Sequence, residues 1–437
     1  MIKLSRRTFL KASSALGGFF ILPSGLRANP PNSRLCSAHI GTGGKGRIDT
    51  PGIGKHRNVQ VLGLCDVDPE RGLIDKWLKT YRSARFFRDY REMLDELDDR
   101  IDIVSISTPD HTHYPASMAA MQRGKHIYTQ KPLTHKLAEA RHLASFAAEK
   151  GLTTQMGIQN QSRAPYRLTK HHLQAGLLGR ISKVYVWSFK NWGYDGEPYS
   201  ETSPIPKSLD WNLWLGTAPE RAYLEKVYHP GQWRRILDFG CGTLGDMGIH
   251  IFDTPCRSLD LRDPLWVRAE CRAPNGFGHA EANQVSYGFA PTKYTTDDFT
   301  FTWWDGESAP RHGGNPDLEL PKGERLPNQG ALLVGEAGRM VLPHCKMPTF
   351  YPSSLSKDFA KPDLGDVDHY TQFIEAIGGE GKTQAGFDYA GPLAETLCLG
   401  VVACQFPGKR LNWDAKAMRV TNLEEANSLL AGSYRKF

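Results

Sequence analysis

A glycine-rich turn near the start of the chain restricts its possible folds more than any other feature. The run Gly41-Thr-Gly-Gly-Lys-Gly46 follows a short apolar stretch, Leu35–Ile40. In a G-x-G-x-x-G turn the first glycine allows the tight bend, the second lets the backbone approach a diphosphate, and the third lets a helix pack closely on the strand. We therefore predict a strand, a phosphate-binding turn and a helix, with Gly41, Gly43, Gly44 and Gly46 contacting a dinucleotide.

An acidic residue stands at the position that this turn requires. The predicted strand Val59–Cys65 ends in Asp66, 20 residues after Gly46. A carboxylate there accepts hydrogen bonds from the adenosine ribose and repels a 2′-phosphate. The sequence therefore predicts NAD as the cofactor, with NADP as the less favoured alternative.

Strand and helix patterns alternate over residues 34–157. Apolar strands are predicted at 101–107 and 153–157, and helices at 116–123 and at 137–150, the latter closed by Gly151. Alternation of this kind predicts an α/β fold with a doubly wound parallel sheet.

Two histidines raise the possibility of a metal site. Residues 108–113, Thr-Pro-Asp-His-Thr-His, follow a predicted strand and are expected to form a loop. His111 and His113 could ligate zinc, but no third ligand lies nearby at metal spacing. We predict no metal, and we place Thr108, Pro109 and His113 on the nicotinamide side of the cofactor cleft.

Lys131 follows the next predicted strand directly. Pro132 fixes its own φ and biases Lys131 toward an extended backbone. Ligands of open α/β sheets bind at the carboxyl ends of strands. We therefore predict that Gln130 and Lys131 contact the cofactor and that Lys131 transfers a proton; the alternative is a surface lysine in a turn.

A second acid/base candidate lies in the later half. A glycine-rich run leads into a helix predicted to begin near residue 244. Asp246 and His250 are four residues apart and share one face of that helix. The helix dipole favours the Asp246 carboxylate, which can orient His250 and favour its protonated form. A local capping pair without catalytic meaning is the alternative.

From residue 158 onward the strands are longer and more amphipathic, as at 183–189 and 299–304. This pattern predicts an antiparallel or mixed sheet with one covered face, and long loops that build a substrate pocket. The substrate candidates are Gln159, Arg163, Tyr166 and Trp233, with Trp192 as a further aromatic side chain that could stack on a sugar ring.

The formal charge of +7 does not indicate an anionic partner. Residues 1–28 contain five basic and no acidic residues, so only +2 remains for the rest. That balance argues against nucleic-acid or membrane-surface binding.

The amino terminus has the pattern of an export signal. Ser5-Arg-Arg-Thr-Phe-Leu-Lys11 is similar to a twin-arginine signal, an apolar run at 12–22 follows, and residues 26–28 suit cleavage. That run is shorter than the roughly 20 residues a spanning helix needs. We predict a signal peptide over 1–28 and a periplasmic protein without a membrane span; a retained short anchor is the alternative.

The eight cysteines lack CxxC spacing. Several lie in apolar runs and are predicted to be small core residues. A protein exported after folding in a reducing compartment needs no disulfides, so we expect no obligatory disulfide framework.

Taken in order, these motifs resemble the glucose–fructose oxidoreductase, inositol dehydrogenase and rhizopine-catabolism (Gfo/Idh/MocA) family. The resemblance implies an amino-terminal Rossmann domain, assigned to 34–157, and an α/β domain with an open, predominantly antiparallel sheet, assigned to 158–437. It further implies that the second domain binds substrate and forms homodimers or homotetramers. The family's catalytic lysine, aspartate and histidine correspond to Lys131, Asp246 and His250.

The chain departs from the family at Gln130, where a glutamate is usual. This removes a negative charge beside Lys131 and leaves the identity of the proton acceptor open.

Two enzyme functions follow from the resemblance. The first is an exported NAD(P)-dependent oxidoreductase that acts on a hydroxyl of a sugar, cyclitol or glycoside. The second is an NAD-dependent glycosidase or lyase that oxidises a sugar hydroxyl only transiently. A non-catalytic sugar-binding protein is a third possibility, disfavoured because the whole catalytic set is present.

Overall fold

Six strands from the first part of the chain form one parallel sheet. Numbered β1 to β6 in chain order, they are Leu35–Ile40, Val59–Cys65, Arg85–Phe87, Ile103–Ile106, His126–Thr129 and Thr154–Met156. The strand order is β3-β2-β1-β4-β5-β6, so the direction of winding reverses between β1 and β4. Ile103–Ile106 is buried at every residue, as expected for a strand covered on both faces. The predicted doubly wound parallel sheet is confirmed.

The computed structural model of the protein describes residues 34–310, 318, 320–357, 362–365 and 367–437. The predicted twin-arginine signal over residues 1–28 lies outside the described residues.

Five helices connect and flank these strands. Numbered α1 to α5, they are Gly46–Gly54, Ile74–Thr80, Tyr90–Leu97, Asp110–Gln122 and Leu137–Lys150. Helix α5 has the predicted bounds and ends at Gly151, whose φ of +63° suits a glycine after a helix.

Helix α4 begins six residues earlier than the prediction, at Asp110 rather than at residue 116. His111 and His113 therefore lie on a helix and not in a loop. Asp110 stabilises the first turn through the helix dipole, and Pro115 is accommodated inside the helix, where it removes one backbone hydrogen bond.

Nine later strands form a second sheet. Numbered β7 to β15, they are Ile181–Ser188, Pro264–Glu270, Gln284–Phe289, Thr295–Asp305, Gln329–Gly335, Gly338–Pro343, Thr349–Tyr351, Arg410–Asp414 and Arg419–Val420. The order is β13-β12-β11-β7-β10-β9-β8-β14-β15. Only the β7–β10 pair is parallel, which confirms a predominantly antiparallel sheet.

Helices α6 to α11 belong to this later part. They are Ala164–Gln174, Trp211–Leu215, Ile249–Ser258, His369–Ile377, Phe387–Ala403 and Glu424–Asn427.

The two sheets share one hydrophobic core. Val104 of β4, Leu143 of α5, Leu397 of α10 and Val285 of β9 belong to a single buried cluster. Burying this much apolar surface holds the parallel sheet against the second part of the chain.

A loop-rich segment, residues 208–239, crosses back over the parallel sheet; we call it the strap. It is built around buried aromatic side chains, with Trp211 and Trp214 stacked at a ring distance of 4.7 Å. Its backbone is tied to the loop after β2, where the Asp210 N–H donates to the Val67 carbonyl at 2.9 Å. The strap therefore forms a wall opposite the glycine turn.

Within the described part of the chain, no helix is both long and apolar enough to cross a membrane. All eight cysteines carry free thiols in the structure.

Candidate active site

The glycine turn is packed so tightly that Gly41, Gly43 and Gly46 leave no room for a side chain. Gly41 has a φ of +78°, and a Cβ there would lie 2.8 Å from the Ser107 carbonyl oxygen. A Cβ on Gly46 would lie 2.0 Å from the Gly41 carbonyl oxygen. These contacts leave the backbone bare toward the cleft, as a diphosphate requires.

A pocket of about 380 Å³ lies between this turn and the strap. Its walls include most of the predicted cofactor residues: Gly41, Gly43, Gly44, Asp66, Thr108 and Pro109. The strap contributes Trp214, His229, Trp233 and Arg234. A concave, partly apolar cavity bordered by bare backbone fits a dinucleotide.

The Asp66 carboxylate stands at the edge of this pocket and also holds the glycine turn. Its Oδ2 accepts from the N–H groups of Thr42 and Gly43 at 2.9 and 3.1 Å. Burial raises the pKa of Asp66, and these hydrogen bonds oppose that rise. The carboxylate is thus fixed in place before any ligand binds.

The Lys131 side chain extends from the end of β5 toward the turn that precedes α8. Its Nζ donates to the Asp246 Oδ1 and to the Asp246 backbone oxygen, both at 2.7 Å. The Lys131 side chain is only 14% exposed. The two residues that the sequence placed in one catalytic set are therefore in direct contact.

A π-helical turn, Leu244–Gly248, carries Asp246 and runs directly into α8. Gly245 is needed there, since a Cβ at this position would lie 2.1 Å from the Cys241 Cβ. π-turns inside helices are rare and occur mostly at functional sites. This wider turn replaces the regular helical start that the sequence predicted.

The structure does not pair Asp246 with His250 as predicted. Instead, the carboxylate is surrounded by Lys131, Lys190 and Arg234 at 2.7, 3.2 and 3.4 Å, and it accepts from the Trp192 indole at 2.7 Å. Burial alone would raise the pKa of Asp246, but the three cations lower it well below its usual range. Stronger, charged partners have taken both carboxylate oxygens.

The sequence predicts a protonated His250, whereas its surroundings in the structure favour the neutral ring. Loss of hydration and the charge of Lys131 hold its pKa well below the usual value, so the ring is neutral rather than protonated. Its Nδ1 has no hydrogen-bond partner among the described residues. The ring lies 5.5 Å from that of His344, whose Nδ1 is 3.1 Å from the Tyr166 hydroxyl.

Two predicted cofactor residues have supporting roles instead. The His113 ring nitrogens lie 2.7 and 3.0 Å from the carbonyl oxygens of Pro132 and Thr108, and the side chain is fully buried. Gln130 donates at 2.8 Å to Asp49, a buried carboxylate. Both side chains therefore brace the corner that carries Lys131 from behind.

The predicted substrate residues are divided between different environments. The Gln159 amide lies within hydrogen-bond distance of the Tyr128 and Tyr370 hydroxyls, at 2.8 and 3.3 Å, in a structural network. Trp233 is buried in the strap and lines the cofactor pocket. Only Arg163, which is exposed, and Tyr166 remain near the His250 side.

Sequence reasoning missed Lys190 and Arg234, and it proposed Trp192 for stacking rather than for its hydrogen bond. It also missed Asp110, whose pKa is raised to about 7 by burial against the pull of Arg234 and Lys131. No group of three or more His, Cys, Asp or Glu side chains in the described ranges is arranged to hold a metal ion.

Family models match nearly all of this architecture. One, described as an oxidoreductase family with an NAD-binding Rossmann fold, matches residues 37–158. Another, described as the carboxyl-terminal α/β domain of that oxidoreductase family, matches residues 164–437. The chain belongs to the Gfo/Idh/MocA family. This confirms the family expected from the motifs, an oxidoreductase family with an NAD-binding Rossmann fold.

The individual relatives of this oxidoreductase have low sequence identity to it, and each alignment covers only part of both chains. A levoglucosan dehydrogenase of Pseudarthrobacter phenanthrenivorans is 26% identical over 38% of this chain and 34% of its own length. A scyllo-inositol 2-dehydrogenase (NAD(+)) of Bacillus subtilis is 30% identical over 27% of this chain and 34% of its own length. The chain thus spans about a third of these curated relatives.

Solved structures of similar fold cover more of the Gfo/Idh/MocA chain. The WlbA dehydrogenase of Chromobacterium violaceum, solved with NADH and UDP-GlcNAcA, has a TM-score of 0.62 at 17% identity, covering 88% of this chain and 98% of its own. An aldose-aldose oxidoreductase of Caulobacter crescentus, solved with glycerol, has a TM-score of 0.54 at 17% identity, covering 87% and 100%. These likenesses establish the fold.

Proposed function

We propose that this oxidoreductase oxidises a hydroxyl group of a sugar, cyclitol or glycoside with NAD as hydride acceptor. The observation that carries the proposal is the direct contact of Lys131 with Asp246, one helical turn from His250. Asp246 also lies 3.4 Å from Arg234, which lines the dinucleotide pocket. The names of the levoglucosan and scyllo-inositol dehydrogenases support a polyol substrate.

When bound, NAD supplies a nicotinamide ring that takes a hydride from the carbon bearing the hydroxyl. Lys131 has one donor left after its two bonds to Asp246, since an ammonium carries three. With that donor it stabilises the negative charge that develops on the substrate oxygen. The neutral His250 imidazole accepts the hydroxyl proton. Asp246 holds the Lys131 ammonium in position.

The experiment that tests this is a panel of sugars, cyclitols and glycosides added to NAD-loaded protein. NADH formation and released aglycone are both recorded. NADH formed in step with one oxidised product supports the dehydrogenase; no turnover of any hydroxyl compound would contradict it.

The rate should stay level as the pH falls through 6.5, the ordinary histidine pKa. His250 must be neutral to accept a proton, and its pKa is lowered, so the loss of activity is expected only at more acidic pH. The measurement is kcat/KM against pH. The same profile is recorded for Asp110→Asn as a control, because Asp110, with its pKa of about 7, titrates in the same pH range. A limb at pH 6.5 that persists in Asp110→Asn would contradict a neutral His250.

NAD should be preferred over NADP, and Asp66→Ser should reduce that preference by about tenfold or more. Asp66 is fixed by two backbone N–H groups, so it cannot turn away from a 2′-phosphate. Arg71 and Arg88 line the same pocket and would pair with that phosphate once the carboxylate is gone. Dissociation constants of both cofactors for the two proteins check this; an unchanged ratio would exclude Asp66 as the selecting residue.

Redox-neutral glycoside cleavage is the second candidate, favoured by one observation. The strap closes over the pocket, with His229 Nε2 3.1 Å from Asp68 Oδ2 and Arg88 Nη1 donating to the Ser208 carbonyl at 2.8 Å. A covered pocket favours retention of NAD through turnover, which a transient oxidation needs. Aglycone released without net NADH, in the same panel, would decide for this function.

We also propose export by the twin-arginine route and a homodimeric or homotetrameric assembly. Export is supported by the sequence Ser5-Arg-Arg-Thr-Phe-Leu-Lys11. Cell fractionation of the Arg6→Lys, Arg7→Lys double variant tests export, since retention in the cytoplasm is expected. Native mass of the wild-type protein reports the subunit number.

A further inference from the structure

Positive charge exceeds negative charge around Asp246. One ionised carboxylate faces Lys131, Lys190 and Arg234, all within 3.4 Å. Among the described residues, two of these three charges have no carboxylate of their own apart from Asp110, whose pKa burial raises to about 7. Like charges brought together in a partly buried site are unfavourable without a compensating anion.

Lys190 lies outside the walls of the dinucleotide pocket. Among the described residues, the walls of the dinucleotide pocket include Arg234 but neither Lys190 nor Lys131. Lys190 faces the other side, where its charge and that of Lys131 lower the pKa of His344 to about 4 after the effect of burial. Its side chain is 45% exposed, so it is accessible to a ligand bound beside His250.

Arg234 lines the dinucleotide pocket and also reaches the Asp246 carboxylate that Lys190 contacts. The Arg234 guanidinium is held over the Trp233 ring at 4.2 Å and lies 5.5 Å from the Trp192 ring, which fixes its direction. Arg163 is exposed, and its charge opposes the rise in the pKa of Tyr166 that burial causes. It therefore adds a further cation on the His250 side.

We propose that the substrate is an anionic sugar, whose carboxylate or phosphoryl group is bound by Lys190 together with Arg234. The inference rests on the proposed sugar oxidation and narrows its substrate class. A charged hydrogen bond of this kind increases affinity about 10- to 100-fold. The uncharged ring hydroxyl is then left for Lys131 and His250.

The test compares sugars that share a ring but differ in charge. D-glucose, D-glucuronate and D-glucose 6-phosphate, with the matching galactose series, are titrated calorimetrically into NAD-loaded protein, and NADH formation is followed in parallel. At least one anionic sugar is expected to bind about tenfold or more tightly than its neutral parent, with an affinity that falls as salt is added. Glucuronate and the 6-phosphate separate the two sources of the anion.

Lys190→Met is expected to lower the ratio of anionic to neutral affinity by about tenfold or more. Lys382→Met is the matched control, since it removes the same charge at an exposed loop residue, and it should keep the wild-type ratio. A ratio unchanged by Lys190→Met would overturn the proposal, as would neutral sugars that bind as tightly as anionic ones.

The outcomes separate this inference from the function on which it rests. Neutral sugars oxidised in preference to anionic ones would leave the dehydrogenase standing and refute the anionic class. Selective binding of an anionic sugar without any hydride transfer or cleavage would support the binding site and refute the proposed oxidation. Failure of every sugar to bind would refute both.

Discussion

Lys131→Met is expected to lower turnover by about 10²- to 10⁴-fold while leaving NAD affinity near that of the wild type. In the proposed mechanism the Lys131 ammonium donates to the reacting oxygen, and methionine keeps its length without its charge. Because the side chain lies outside the walls of the dinucleotide pocket, cofactor binding should be spared. Single-turnover hydride transfer and calorimetric NAD binding separate the two effects.

Lys125→Met provides the control at the other end of the same strand. Lys125 is similarly buried and pairs with Asp98 at 2.9 Å, so its loss tests the structural cost of removing a buried lysine. It should lower the thermal stability without the loss of hydride transfer. Near-wild-type turnover in Lys131→Met would falsify the catalytic role.

Gly46→Ala should weaken NAD binding by about 10- to 100-fold or more. The new methyl group would lie 2.0 Å from the Gly41 carbonyl oxygen, so the turn must open, and overpacking of this kind typically costs about 1–3 kcal/mol. The displaced backbone is the part that approaches the diphosphate. NAD dissociation constants, with circular dichroism to verify folding, check this.

Gly124→Ala is the comparison for Gly46→Ala. Gly124 has a φ of +73°, and a Cβ there would meet nothing within 4 Å, so only backbone strain is introduced. Its unfolding midpoint should fall while its NAD affinity stays unchanged. Equal NAD affinity in the two variants would show that the glycine turn is not the binding element.

Much of the fold could be predicted because local patterns and global topology agree here. Apolar strands, a glycine after α5 and the spacing from Gly46 to Asp66 each specify one element of a doubly wound sheet. The start of α4 was wrong because Pro115 is a strong local signal for a helix boundary, whereas the surrounding fold keeps the preceding turn helical.

The contacts of the site were harder to predict because they join distant residues. Lys190 and Trp192 reach Asp246 across more than fifty residues, and nothing in the local pattern marks them. Charged side chains therefore contact the Asp246 carboxylate in place of His250, although Asp246 and His250 are four residues apart, as a helical pair requires.

Gln130 can now be explained by a residue that the sequence did not single out. Its amide donates to Asp49, which also accepts from Lys45, Ser107 and Tyr370. A glutamate at this position, usual in the family, would place a second carboxylate against that of Asp49. The amide removes the repulsion while keeping the Lys131 corner supported.

The π-turn at Leu244–Gly248 fixes the number of residues between Asp246 and His250. Deleting one residue between Asp246 and His250 would turn the wide turn into a regular helical one and change the direction of the Asp246 side chain relative to His250. The core-facing residues of α8 would keep their places while Asp246 left its partners. Insertions and deletions should therefore be absent from this segment in functional homologues, even where its sequence varies.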